Sequence, residues 1–201
     1  MTVLYIITCG SPVARDVGRL VSLAHKASCE VCLVSTPDGR KFLDLPSLAE
    51  LTGHPVRSFY KQPDEPDLLP PAEAFIVAPA TVNTINKWAA GITDTLALGL
   101  LVEAYGLELP IVAMPYTNDR MARFPAFQES IAKLTGWGVR VIYGDQVPLF
   151  PPGAGGEHRH EYPWHLAMEA MSEALGQDRP GQDRPGQARP SATHHAGDPH
   201  R

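Results

Sequence analysis

The chain has 201 residues, 44% hydrophobic and 19% charged, which supplies one globular domain with a sizeable core. Its net charge of −5 at pH 7 and pI near 5.9 argue against nucleic acid or an anionic membrane as the main partner. No apolar run approaches the roughly 18 residues that span a bilayer, and Met1-Thr2-Val3-Leu4-Tyr5 lacks the basic segment of a signal peptide, so a cytoplasmic location is expected.

Apolar runs alternate with helical patterns, the signature of an α/β fold with a parallel sheet and helices on both faces. Val3 to Cys9 reads as the first strand. Ser11 suits a helix N-cap and Pro12 the first helical position, and Val13, Val17, Leu20, Val21 and Ala24 continue a stripe ending near Lys26. Val31 to Val34 is the second strand, closed by the turn Ser35-Thr36-Pro37-Asp38-Gly39. Leu45 to Leu51 reads as a short helix and Val56 to Phe59 as a third, weaker strand. Lys61 to Pro71 holds four prolines among acids and reads as an exposed loop. Ala74 to Ala78 is a buried strand, with helices at Asn83 to Ala90 and Asp94 to Tyr105 flanking Gly91. Pro110 to Met114 is the next strand, Pro125 to Trp137 a helix, and Val139 to Ile142 the last strand. A long loop over Pro148 to His160 precedes a closing helix, Tyr162 to Leu175. Residues 1–175 form the predicted domain. From 176 to 201 a Gly/Gln/Arg/Pro repeat offers no core and is expected to be a disordered tail.

Cys9, Cys29 and Cys32 lie in or beside strands and read as buried, reduced thiols. Cys29 and Cys32 stand three apart on a strand and so face opposite sides of the sheet. His158, His160 and His165 lack a convincing fourth ligand, and no metal site is expected.

Ligands of open α/β sheets bind at the carboxyl ends of the strands. Cys9-Gly10-Ser11-Pro12 is one such junction, a turn whose free N–H groups suit an anion. It carries neither the G-x-G-x-x-G of a dinucleotide site nor the Lys-Ser or Lys-Thr of a P-loop. Ser35 and Thr36 end the neighbouring strand, and Phe42 follows as a ring able to cover a flat ligand. Pro79-Ala80-Thr81-Val82-Asn83-Thr84 and Pro115-Tyr116-Thr117-Asn118-Asp119-Arg120-Met121 are two further carboxyl-end loops, facing one crevice.

Together these segments resemble a known family. Gly10-Ser11, Pro79 to Thr84, Gly91-Ile92-Thr93-Asp94, Pro115 to Met121 and Pro125-Ala126-Phe127-Gln128-Glu129-Ser130-Ile131 are similar, in order, to motifs of the flavin-containing cysteine decarboxylases. That family includes phosphopantothenoylcysteine decarboxylase and the lantibiotic peptide decarboxylases. The resemblance covers roughly Val3 to Leu175.

It implies a three-layer flavodoxin-like (Rossmann-like) fold that binds FMN, as a homotrimer or a multiple of it. The apolar helix Thr95 to Tyr105, poor in polar residues, agrees with such an assembly. The resemblance assigns Gly10, Ser11, Ser35 and Thr36 to the phosphate and ribityl end of the flavin. It places Phe42, Ala80, Asn83, Thr84 and Asp94 around the ring or its supporting shell. Asn118 is assigned the substrate carboxylate, with Met121 and Arg159 on the substrate side. The implied reaction is oxidative decarboxylation of a peptide C-terminal Cys or a small cysteine conjugate. Two electrons leave the cysteine carbon–sulfur unit, and carbon dioxide departs from the resulting thioaldehyde.

The chain also departs from the pattern. The family histidine is missing from Pro66 to Glu73, Thr117 replaces a Met, Ala122 replaces a Trp, and Gly153 to His160 has no Cys. His54 is the expected replacement for acid–base work, with His158 and His160 as further candidates. The alternative is an FMN-binding flavoprotein that does not decarboxylate: one with other flavin chemistry, prenyl transfer to flavin, or a regulatory or partner subunit.

Overall fold

The computed structural model describes residues 1–177. Five parallel strands, β1 (Thr2–Thr8), β2 (Cys29–Ser35), β3 (Ala74–Ala80), β4 (Ile111–Pro115) and β5 (Arg140–Val141), form one sheet in the order β2-β1-β3-β4-β5. This is the flavodoxin-like doubly wound order, whose ligand crevice opens where β1 and β3 send their connections to opposite faces. Among the described residues, six α-helices lie between the strands, α1 (Gly18–Lys26), α2 (Leu45–Thr52), α3 (Val82–Ala89), α4 (Leu96–Gly106), α5 (Asp119–Ala122) and α6 (Pro125–Gly136), and a seventh, α7 (Trp164–Gln177), follows β5.

Strands buried on both faces read as continuous apolar runs, which is why β1, β2 and β3 stood out in the sequence. Alternate residues then divide between two cores. Leu4, Ile6, Val31, Leu33 and Ile76 pack with Leu20, Val21 and Ala24 of α1 and Met168 and Met171 of α7. Tyr5, Ile7, Val34, Phe75 and Val77 pack on the other face with Ile85, Trp88, Leu98, Leu101, Phe127 and Leu134. Cys29 falls in the first core and Cys32 in the second, and all three cysteines are free and buried. No helix among the described residues is long and apolar enough to cross a membrane.

Several local expectations need correction. Ser11 occupies an N-cap position but makes no side-chain cap bond, because the first turn, Pro12–Asp16, is a 3-10 helix and α1 starts only at Gly18. Val56 to Phe59 is not a strand. Arg57 alone bridges to Val34, exchanging backbone bonds with Ser35 and Leu33 at 2.8 and 3.1 Å, while Phe59 turns outward, 59% exposed. The closing helix continues past Leu175 to Gln177, and the expected disordered tail beyond it lies outside the described residues.

Candidate functional site

The carboxyl ends of β1 to β4 open onto a crevice of about 450 Å³, a size that suits a small-molecule ligand. Gly10, Ser11 and Pro12 line it after β1, and Thr36, Pro37 and Asp38 after β2. Thr81, Asn83, Thr84 and Lys87 follow β3, and Tyr116, Thr117, Asn118 and Met121 follow β4. Leu98 of α4 and Phe150 complete the apolar part of the wall.

Backbone bonds and two glycines bring the first two loops together. Thr36 N–H donates to the Thr8 carbonyl at 3.0 Å, and Cys9 N–H to the Pro79 carbonyl at 3.0 Å. Thr36 Oγ1 accepts from Gly39 N–H at 3.1 Å. A Cβ on Gly39 would lie 2.7 Å from the Thr8 carbonyl oxygen, and one on Gly10 would lie 2.9 Å from Asp38 Cβ. The loops close only because neither position carries a side chain.

The third and fourth loops are shaped by helix caps. Thr81 Oγ1 accepts from Thr84 N–H at 3.3 Å, the two hydroxyls lying 3.0 Å apart. Asn118 Oδ1 accepts from the N–H groups of Arg120 and Met121 at 3.1 and 2.9 Å. Its carbonyl end is thereby committed to α5, and its amide NH₂ is the end that can donate to a ligand. Asp119 N–H bonds the Phe150 carbonyl at 2.9 Å, and Tyr116 donates its hydroxyl to the Gly155 carbonyl at 2.8 Å. These two bonds strap the loop before α7 against the Asn118 loop.

Among the described residues, three titratable side chains line the crevice: Asp38, Lys87 and Tyr116. A hydrogen bond from Lys41, 2.5 Å away, holds the Asp38 carboxyl below its ordinary range. Lys87 is paired with Asp94 at 2.5 Å. Burial pushes the Tyr116 phenol up to about 12, so it stays a neutral donor. Burial likewise raises the Cys9 thiol next to the first loop, which leaves it no thiolate character for nucleophilic work.

Of the residues singled out in the sequence, Gly10, Ser11, Thr36, Asn83, Thr84, Asn118 and Met121 meet in this crevice. Asp94 acts on it through Lys87. Ser35 lies beneath, its hydroxyl 2.6 Å from that of Ser58. Ala80 is fully buried, and its carbonyl accepts from Tyr116 N–H at 3.0 Å. Phe42 ends a 3-10 turn with the Arg15 guanidinium over its ring, outside the crevice.

His54, the histidine expected to do acid–base work, needs correction, because it lies away from the crevice. Its Nε2 lies 2.9 Å from Glu30, the second residue of β2, whereas the crevice begins past the far end of that strand at Thr36. Six residues of strand separate the two ends by about 20 Å. His158 and His160 pair with Glu161, and Arg159 with Asp16 at 3.5 Å, all outside the crevice lining. Among the described residues, no group of His, Cys, Asp and Glu is placed to hold a metal.

Sequence reasoning missed Lys87, Asp38, Leu98 and Phe150 as lining residues. Lys87 stands four residues after Asn83, one helical turn on the same face, and that spacing was legible. Phe150 reaches the site by a long-range strap and left no local pattern.

Residues 1–156 match the family model described as Flavoprotein. The probable phosphopantothenoylcysteine decarboxylase of Streptococcus mutans is 28% identical over 139 residues, covering 66% of this chain and 77% of that protein. The chain also spans about half the length (48%) of the coenzyme A biosynthesis bifunctional protein of Vibrio vulnificus, at 29% identity over 198 residues. Among solved structures, the epidermin biosynthesis protein EpiD from Staphylococcus aureus matches with a TM-score of 0.59 at 28% identity, covering 71% of this chain and 82% of that one. The FMN-dependent cysteine decarboxylase SpaF has a TM-score of 0.68 at 22% identity, covers 87% of this chain and 98% of its own, and shares the fold.

Proposed function

The chain belongs to the Flavoprotein family, and from that premise we propose an FMN-dependent lyase that oxidatively decarboxylates a cysteine-containing substrate. The substrate is a peptide ending in Cys or a small cysteine conjugate. The observation that carries this reading is a single crevice holding phosphate-type turns at one end and Asn118 at the other.

The residues present fit a flavin. Ser11, Thr36 and the closely packed glycine turns offer hydroxyl and N–H donors to a phosphate. Thr81, Asn83 and Thr84 give the ring a small polar wall, and Leu98 and Phe150 an apolar one. Gly10 and Gly39 leave their loops room for no side chain. Bound FMN supplies a two-electron acceptor, and the protein supplies binding and orientation.

Asn118 donates its amide N–H to the substrate carboxylate. Tyr116 and Phe150, ring centroids 4.4 Å apart, close the wall beside it. A carboxylate held against these rings loses water contacts, which disfavours the charged acid relative to neutral carbon dioxide. Met121, half exposed, borders the same end. Among the described residues no histidine lines the crevice, and this reading gives His54 no proton to carry. That same observation favours a second reading, a flavoprotein of this fold that does not decarboxylate.

The reading includes a cytoplasmic, trimer-based assembly. Val102 and Tyr105 of α4 are 40% and 47% exposed, and the Trp137 ring lies tilted beside that of Tyr105, centroids 6.0 Å apart, an apolar face suited to a second copy.

The test is to purify the full chain, identify the flavin it releases, and incubate the holoprotein with Cys-terminal peptides and phosphopantothenoylcysteine. FMN release and a product lighter by carbon dioxide support the proposal, with two hydrogens also lost where an added oxidant such as dioxygen reoxidises the flavin and retained where the reduced flavin returns its two electrons to the product. Bound FMN without any such product leaves the second reading in its place. A colourless protein that takes up no added FMN removes both.

A further inference from the structure

Five buried side-chain polar atoms have no hydrogen-bond partner among the described residues: Thr8 Oγ1, Asn86 Oδ1, Thr117 Oγ1, Asp119 Oδ1 and Trp164 Nε1. Of these five residues, Thr117 is the one that lines the crevice. It is only 3% exposed. A buried hydroxyl without a partner is costly, and a valine of the same shape avoids that cost. Its neighbours are already committed, Tyr116 to the Gly155 carbonyl and the Asn118 carbonyl end to two backbone N–H groups. Thr117 therefore has a donor to spare at the end of the crevice where Asn118 stands.

We propose that the Thr117 hydroxyl is a specificity-determining contact that donates a hydrogen bond to an oxygen acceptor of the bound ligand. The proposal rests on the flavin reading of the crevice. Two acceptors fit this chemistry, a carbonyl of the flavin ring and the substrate carboxylate beside Asn118. A methionine, the residue of the resembled motif here, has no O–H to donate. The threonine thus sets this chain toward a ligand edge that presents oxygen.

The experiment compares wild type, Thr117→Val and Thr117→Ser in the full chain. One arm titrates FMN into the apoprotein by flavin fluorescence. A second titrates a Cys-terminal tripeptide into the holoprotein by the change in flavin absorbance, and a third follows thermal unfolding of the apoprotein. Valine should weaken one of the two ligands by about tenfold, the loss of one hydrogen bond to a well-placed acceptor. Serine should restore it, and the apoprotein with valine should melt no earlier than wild type. Loss in the FMN arm identifies the ring carbonyl, and loss in the peptide arm the carboxylate. Unchanged affinities in both arms overturn the proposal. So does a lower apoprotein melting temperature with valine that serine repairs, since the hydroxyl then has a partner inside the protein. A wild type that binds no FMN brings down the flavin reading and this proposal with it.

Discussion

Asn118 and Phe150 lie opposite one another as a parallel bridge, fixed by the bond from Asp119 N–H to the Phe150 carbonyl at 2.9 Å. The bridge places the amide donor of Asn118 and an aromatic wall at the same end of the crevice. Their pairing lets the proposed substrate role of Asn118 be tested apart from its capping role in the fold.

Asn118→Asp keeps the oxygen that caps α5 and removes the amide donor. Aspartate is as good a cap as asparagine, so the variant should fold and retain FMN. Two carboxylates a few ångströms apart repel by roughly 4 kcal/mol where solvent is scarce. Peptide affinity should fall by about 10²–10³-fold, read by the change in flavin absorbance. Wild-type affinity in the variant refutes the carboxylate role.

Gly39→Ala tests whether the close contact of the first two loops is needed. The new methyl would stand 2.7 Å from the Thr8 carbonyl oxygen, a backbone atom that cannot rotate away. A loss of about 1–3 kcal/mol of stability, together with weaker FMN uptake, is expected in thermal unfolding and fluorescence titration. Gly136, with open space around it, is the control position.

His54→Asn should leave turnover within about twofold of wild type, because its ring contacts Glu30 and not the crevice. The pair is part-exposed, so its removal should cost at most about 1 kcal/mol. A 10²-fold drop in turnover, the scale of lost general acid–base catalysis, contradicts the placement.

Light scattering of the holoprotein should give a trimer or a multiple of it. Val102→Glu puts a charge into the exposed face of α4 and should shift the distribution toward smaller species. A wild type that is monomeric with FMN bound removes the assembly from the proposed function.

Alkaline pH should destabilise the fold. Burial holds the Cys32 thiol up at about 12, whereas in the unfolded chain it ionises near its ordinary value of 9.0. The native state therefore keeps a proton that the unfolded state loses, and stability falls as pH rises through that interval, by up to about 1.4 kcal/mol per pH unit. Denaturant midpoints between pH 8 and pH 11 under reducing conditions should fall less steeply in Cys32→Ala than in wild type.

The sheet was legible because strands buried on both faces leave unbroken apolar runs, as Ala74 to Ala78 and Val31 to Val34 did. Val56 to Phe59 misled because a β-branched and aromatic composition does not say which residues find a neighbouring strand, and only Arg57 did. Thr36, Asn83 and Asn118 were legible as crevice-lining residues because each follows a strand at its carboxyl end. His54 was misplaced because sequence gives a loop's residues but not the end of the sheet to which they fold. Phe150 was invisible for a related reason, since only tertiary hydrogen bonds bring it beside Asn118.

The charges of the crevice have a consequence for ionic strength. Asp38 is met by Lys41 and Lys87 by Asp94, so these four side chains sum to zero. An anionic ligand bound there would be held by neutral N–H and O–H groups at contact distance, not by an attractive field of these four side chains reaching into solution. Added electrolyte screens such fields over a Debye length of about 8–10 Å but scarcely touches hydrogen bonds. Ligand capture by this crevice should therefore be slow for want of steering and nearly indifferent to salt.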